Sequence, residues 1–234
     1  MKLLAFDCST DRLSIAVQRE RHIGRYRGAG GRESSSTLIP TILRLLAEAG
    51  IALRELDAIV FGRGPGSFTG LRTACSVAQG LGFGAGVPVL PVDTLLAVAE
   101  EARAQHGAHR VLALLDARMN QVYAAAWNWD AAAGWSPQGE TVVCAPEAVR
   151  PPSDAGDTGW ALAGNAFESY GACLPRAVAA LPRFEAWPGA DALLRLAPAG
   201  IQAGRAVSAE QALPLYVRDK VARTIAERAA SSRR

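Results

Sequence analysis

Short apolar blocks separated by turn residues dominate the first third of the chain. Residues 3–7 form one block ending in Asp7, residues 8–12 read as a turn, and residues 13–17 form a second block; two strands joined this way predict an antiparallel hairpin. Residues 23–27 add a third strand, and Gly28, Gly30 and Gly31 make the loop after it. The apolar spacing then changes. Leu38, Ile39, Ile42, Leu43, Leu45 and Leu46 recur as on one face of a helix, with N-cap chemistry at residues 34–37, Pro40 in the first turn and Gly50 as the stop. Residues 58–61 predict a buried strand, 71–83 a helix and 87–92 another strand; Asp93 or Thr94 then caps a helix ending near Gln105, before Gly107. This order, ββ(β)αβαβα, is that of an α/β lobe.

The second half begins in the same way. Residues 112–116 are apolar and end in Asp116, residues 117–121 turn, and residues 122–129 return. An apolar strand closed by Asp, a five-residue turn and a returning strand thus occur twice, 109 positions apart, which predicts a structural duplication. Further on, the pattern predicts strands at 141–144 and 160–163, a helix opened by Pro146, and a polar loop over 151–159. A helix over 190–203 is expected to be interrupted by Pro198, and 213–217 forms a short closing element. The chain divides accordingly into residues 1–108, residues 109–218, whose last elements can pack back on the first lobe, and a tail over 219–234.

Between the strand at 58–61 and the helix at 71 stands Gly62-Arg63-Gly64-Pro65-Gly66-Ser67-Phe68-Thr69-Gly70-Leu71-Arg72. Glycine serves where φ is positive or where another backbone or an anion comes close, and Pro65 fixes φ between two such positions. Ser67 and Thr69 are N-cap candidates. The residue order matches neither a Walker A loop, which needs Lys and a hydroxyl after its second glycine, nor a nucleophile elbow, which needs glycines two before and two after the serine. An anion or a polypeptide segment fits this loop, and so does a tight turn with no ligand.

Composition narrows the class. Half of the 234 residues are hydrophobic and few are aromatic, which suits small-residue packing of helices on a sheet. The net charge of +3 is local: residues 218–234 hold six basic and two acidic side chains, leaving a nearly neutral body. Charge alone therefore does not imply a nucleic-acid-binding domain. Cys8, Cys75, Cys144 and Cys173 are widely spaced, which signals neither a zinc site nor a disulfide framework and points to reduced thiols in cytoplasm. The N-terminus lacks a signal-peptide core, and the uncharged stretch 73–92 contains glycines and prolines that make it a helix followed by a strand rather than a membrane span.

Taken together, Leu4-Ala5-Phe6-Asp7-Cys8-Ser9-Thr10, the glycine loop, Asp116-Ala117-Arg118 and Pro214-Leu215-Tyr216-Val217-Arg218 resemble the bacterial TsaB (YeaZ) family over nearly the whole chain. The resemblance implies a duplicated two-lobe α/β fold of the actin-like, Hsp70-like and sugar-kinase-like type. It also implies a role in forming N6-threonylcarbamoyladenosine at position 37 of tRNAs that read codons beginning with A. In that role the family member is a non-catalytic partner. It pairs with TsaD, which transfers the threonylcarbamoyl group, helps to recruit the ATPase TsaE and meets tRNA through the complex; a homodimer when alone is a pairing the sequence leaves open.

The residues agree with a partner role. TsaD-type catalysts carry two metal-ligating histidines four apart on the first helix, whereas Arg32-Glu33-Ser34-Ser35-Ser36-Thr37-Leu38-Ile39-Pro40 has neither. His106 and His109 read as solvated loop residues. ATP-using members of the superfold have a glycine soon after each hairpin Asp, and here Cys8-Ser9-Thr10 and Ala117-Arg118 follow instead. No cofactor and no metal are therefore expected. Nucleotide or phosphate contact, if made, falls to Asp7, Ser9, Thr10, Gly64, Gly66 and Ser67, although Asp7 and Asp116 read equally well as strand-end carboxylates that cap turns. The partner surface is assigned to Leu71, Ala74, Ala78 and Gly82, with Leu38 and Ile42; Ala74, Ala78 and Gly82 form a stripe of small side chains at i, i+4 and i+8 that suits either close helix docking or packing on the protein's own sheet. The competing functions are a small-molecule kinase or ATPase of the same superfold, a metal-dependent glycoprotease, and an RNA-binding module using the basic tail.

Overall fold

The computed structural model describes residues 1–152 and 159–218. The expected tail at 219–234 and most of the loop expected at 151–159 lie outside the described residues. The first sheet contains β1 (Lys2–Asp7), β2 (Arg12–Arg19), β3 (His22–Ala29), β4 (Ala58–Gly64) and β5 (Val89–Asp93) in the order β3-β2-β1-β4-β5. Helices α1 (Ser34–Ala49) and α2 (Phe68–Ala85) connect its later strands, and α3 (Thr94–His106) leads to the second sheet. That sheet contains β6 (Arg110–Arg118), β7 (Gln121–Asp130), β8 (Gly134–Pro137), β10 (Trp160–Gly164) and β11 (Arg183–Glu185) in the order β11-β10-β6-β7-β8, with β9 (Val142–Cys144) paired to β7. Short helices α4 (Phe167–Tyr170) and α5 (Arg176–Ala179) lie between β10 and β11, and α6 (Ala190–Gln202) follows.

In each sheet an antiparallel three-stranded meander is followed by a strand parallel to its first member and then by a second parallel strand. The same topology built twice is the duplicated, actin-like α/β fold. β1 is buried on both faces, so its alternation is between two cores rather than between core and water. Leu4 and Phe6 pack with α1 and α2, whereas Leu3 and Ala5 face the layer between the sheets. β6 repeats the device, with Leu112 and Leu114 on its outer face and Val111, Ala113 and Leu115 toward the shared layer.

Helices α3 and α6 fill that shared layer. Thr94 through Ala102 of α3 are all buried, as expected of a helix covered on every side. Glu100, only 2 % exposed, accepts bonds from Arg103, Arg195 and the Trp135 indole, joining α3, α6 and β8. The last elements return to the first lobe: α6 packs on β1, β2, β4 and β5, and Val207 bridges to Val89.

Several local expectations change. α1 begins at Ser34 after a 3-10 turn at Gly31–Glu33, so the residues expected as caps lie in its first turn and Pro40 lies inside the helix. α2 begins at Phe68, three residues early, which leaves Ser67 as N-cap without a side-chain bond and Thr69 inside the first turn. Pro146 opens only a three-residue 3-10 turn, and Pro198 sits within a continuous α6. β8 and β11 carry too few residues for a periodic signal. His106 ends α3 and stacks on Phe184, while His109 packs against Trp129.

Candidate functional site: a cleft between the lobes

The two hairpin turns, the glycine loop and the C-terminal segment meet at a cavity of about 470 Å³ between the lobes. Ser9, Thr10, Gly66 and Ser67 line it from the first lobe, and Asp116, Arg118 and Asn165 from the second. Asp7 and Gly64 do not line it. Asp7 lies behind the wall, fully buried, with Oδ1 accepting the Ser9 N–H at 2.8 Å and the Ser9 hydroxyl at 2.6 Å, while Oδ2 has no partner. Burial pushes the Asp7 carboxyl up to about 6 from an ordinary 3.8, against the downward pull of both Ser9 bonds. The neighbouring Cys8 thiol is raised well above its usual range, first by burial and then by the Asp7 charge.

Asp116 is arranged differently. Its Oδ1 accepts the Arg118 N–H and the Tyr170 hydroxyl, its Oδ2 pairs with Arg118 at 3.1 Å, and its own N–H donates to Asn165 Oδ1. One hairpin carboxylate is thus sealed in the core, and the other is neutralised by a cation at the cavity wall.

The glycine loop is closed over by the chain itself. A Cβ at Gly66 would lie 2.5 Å from the Ser9 carbonyl oxygen, and one at Gly70 would run into the Cys8 carbonyl. The Ser67 N–H donates to the same Ser9 carbonyl at 2.7 Å, so the loop and the first hairpin turn meet backbone to backbone. Gly64, at φ +121, precedes a cis peptide to Pro65, and a Cβ there would lie 2.6 Å from the Leu215 carbonyl oxygen. Leu215 also donates its N–H to the Arg63 carbonyl at 2.7 Å. The polypeptide segment that fits this loop is therefore the protein's own residues 213–218. From there Tyr216 packs on Phe68 and accepts a bond from Arg72, and Arg218 reaches the second lobe, donating to the Ala117 carbonyl and to Gln121. The sequence showed the loop as special but not what covers it, because residue 215 is remote in the chain.

The surface assignment on α1 and α2 requires correction. Leu38, Ile42, Ala74 and Ala78 are wholly buried, and Leu71 is only 1 % exposed. Gly82 is buried too, facing Val89, Val87 and Ala209 so closely that a Cβ would lie 2.7 Å from a Val89 methyl. The small-residue stripe lets α2 settle onto the protein's own sheet and C-terminal segment. The opposite faces are the exposed ones: Ile39 and Leu43 on α1, and Ser76, Gly80, Phe83 and Gly84 on α2, with Phe83 75 % exposed and open space beyond Gly80 and Gly84.

The chain has extensive relatives. Its residues 26–134 match the family model for TsaD, tRNA N6-adenosine threonylcarbamoyltransferase. It is 32 % identical over 223 residues, 95 % of this chain and 96 % of the other, to the tRNA threonylcarbamoyladenosine biosynthesis protein TsaB of Escherichia coli K12. The chain belongs to the TsaB (YeaZ) family. The solved structure of YeaZ from Pseudomonas aeruginosa superposes with a TM-score of 0.83 at 40 % identity, covering 92 % of this chain and 99 % of that one. The TsaB protein of Haemophilus influenzae is 43 % identical over 123 residues, 53 % of this chain and 52 % of the other. Among the described residues no three His, Cys, Asp or Glu side chains converge as a metal-binding group, and no helix is long and apolar enough to cross a membrane.

Proposed function

We propose that this protein acts in the cytoplasm as a non-catalytic partner in forming N6-threonylcarbamoyladenosine at position 37 of tRNAs that read codons beginning with A. It pairs with a TsaD-type transferase, helps to recruit TsaE, and meets tRNA through that complex. Family membership supports the pathway. The observation that carries the partner role is the closed glycine loop, whose backbone approaches are taken by Ser9, Cys8 and Leu215 and so are not open to a phosphate chain. The docking surface is the outward face of α1 and α2, where Ile39, Leu43 and Phe83 present apolar area and Ser76, Gly80 and Gly84 admit a closely packed helix. When the transferase is absent, the same face serves self-association.

Depletion in the host followed by measurement of threonylcarbamoyladenosine in bulk tRNA tests the pathway; an unchanged level rejects it. Two variants test the surface. Ser76→Glu should stay folded and lose co-purification with the transferase, whereas Ala78→Glu should unfold, because it buries a carboxylate without a partner. A Ser76→Glu protein that still binds the transferase at full affinity rejects the surface.

A further inference from the structure

Residues 213–218 cross from one lobe to the other, and their last side chain fastens a turn that its own residues do not favour. That turn joins β6 to β7. Arg118, Met119 and Asn120 all stand in the left-handed region, at φ +60, +57 and +56. The matching turn of the first lobe, residues 8–11, contains no positive φ. Tight hairpin turns with positive φ are ordinarily built from Asn, Asp and Gly, because a larger side chain brings its Cβ against the following carbonyl oxygen. Asn120 suits its place. Arg118 and Met119 do not, and the β6–β7 register slips between Asp116 and Arg118.

The turn is held in this shape from two sides. From within, Asp116 Oδ1 accepts the Arg118 N–H at 2.6 Å. From outside, Arg218 donates through Nη2 to the Ala117 carbonyl at 2.9 Å and to Gln121 Oε1 at 2.7 Å, and through Nη1 to the Met119 sulfur at 3.2 Å. The guanidinium thus grips the residue before the left-handed run, the residue after it and its middle, which a planar fork of donors can do and a point charge cannot. The grip is itself costly. Arg218 Nε is buried without a partner, and among the described residues no carboxylate pairs with this cation. Neutral acceptors replace only part of the hydration that a guanidinium loses. The backbone just before it is anchored to the first lobe, by Leu215 on Arg63 and by Tyr216 on Phe68 and Arg72.

We propose that residues 213–218 are an inter-lobe latch and that Arg218 is its bolt. In the closed state the guanidinium holds residues 118–120 left-handed; in the open state Arg218 is hydrated and the turn relaxes. Costs on both sides of the contact bring the two states close in energy. Opening is local, since α3 and α6 stay packed between the sheets and keep the lobes together while the turn moves. This inference does not depend on the partner role or on the α1–α2 surface.

Limited trypsin digestion of the full chain reads the open state, because a protease cuts a bond only where the segment around it can unfold, at a rate set by the open population. Arg218→Met should speed cleavage after Arg118 by about 5- to 30-fold, the worth of one left-handed residue released, while cleavage after the exposed Arg54 of the first lobe changes less than about twofold. Met119→Asn places a residue that tolerates the left-handed region in the turn. It should slow cleavage after Arg118 in both the wild-type and the Arg218→Met chains, each rate being corrected by that of a synthetic peptide of residues 113–123 with the same sequence. Equal cleavage after Arg118 with and without Arg218, a parallel rise after Arg54, or no effect of Met119→Asn would each overturn the latch. Should Arg218→Met fail to fold, the wild-type chain against Met119→Asn decides: slower cleavage in the variant supports the latch, and an equal rate overturns it.

Discussion

Replacing Asp7 by asparagine isolates the most perturbed carboxylate in the cleft region. The side chain is fully buried, its Oδ1 holds the Ser9 turn, and its Oδ2 is unpartnered. Burial raises its pKa from 3.8 to about 6. The folded state therefore binds this proton more tightly than the unfolded state does, and between about pH 4 and pH 6 it holds more protons. Stability from this group is present below the unfolded value and falls as pH rises through the folded one. At about 1.4 kcal/mol per unit, the ionised group destabilises the protein at pH 7 by roughly 3 kcal/mol. Asp7→Asn retains the Oδ1 acceptor and removes the charge. Its new amide donor is itself buried, which offsets part of the gain, so the expected stabilisation at pH 7 is about 1–3 kcal/mol. Urea unfolding of both proteins at several pH values between about 4 and 7 measures the difference, with the slope monitored for a constant m-value. The advantage of the variant should shrink steadily toward pH 4. A difference that stays constant across the range refutes the argument, because a normally titrating carboxylate leaves no such pH signature.

Other outcomes follow from the packing. Gly70→Ala should give no folded protein in a soluble-expression and circular-dichroism assay, because its Cβ runs into the Cys8 carbonyl, whereas Gly80→Ala, which meets open space, should raise stability by about 0.5–1 kcal/mol in urea unfolding. Glu100→Ala should destabilise by about 1–3 kcal/mol, since it removes the buried acceptor of Arg103 and of the Trp135 indole, while Arg195 keeps Glu101. Burial acts to raise the Glu100 pKa, and the bonds from Arg103, Trp135 and Arg195 more than reverse it. Its contribution is therefore present above the ordinary glutamate range and lost as pH falls, and the penalty of Glu100→Ala should narrow in acid, read as converging denaturation midpoints.

The strand-turn-strand units at Asp7 and Asp116 were legible in the sequence because they are local: apolar runs of strand length, closed by a carboxylate that caps its own turn, as Asp7 does for Ser9 and Asp116 for Arg118. Gly50 and Gly107 were legible as helix ends for the same reason, each adopting a left-handed conformation that other residues avoid. The distinctive composition of residues 62–72 marked a close approach without naming what approaches. Only the tertiary structure supplied Leu215 for Gly64 and the hairpin turn for Gly66 and Gly70, since backbone packing between distant segments leaves no trace in local periodicity. The stripe of Ala74, Ala78 and Gly82 shows the same limit. Small residues at helical spacing suit a foreign helix and the protein's own sheet equally, and the choice was made by Val89 and Ala209 closing over Gly82. Trp187 carried no local signal at all; only the tertiary structure brings Arg12 of the first lobe over its ring, beside the Glu185 carboxylate that accepts its indole N–H. Side-chain spacing determines which elements form, and the packing of those elements determines which surfaces remain for function.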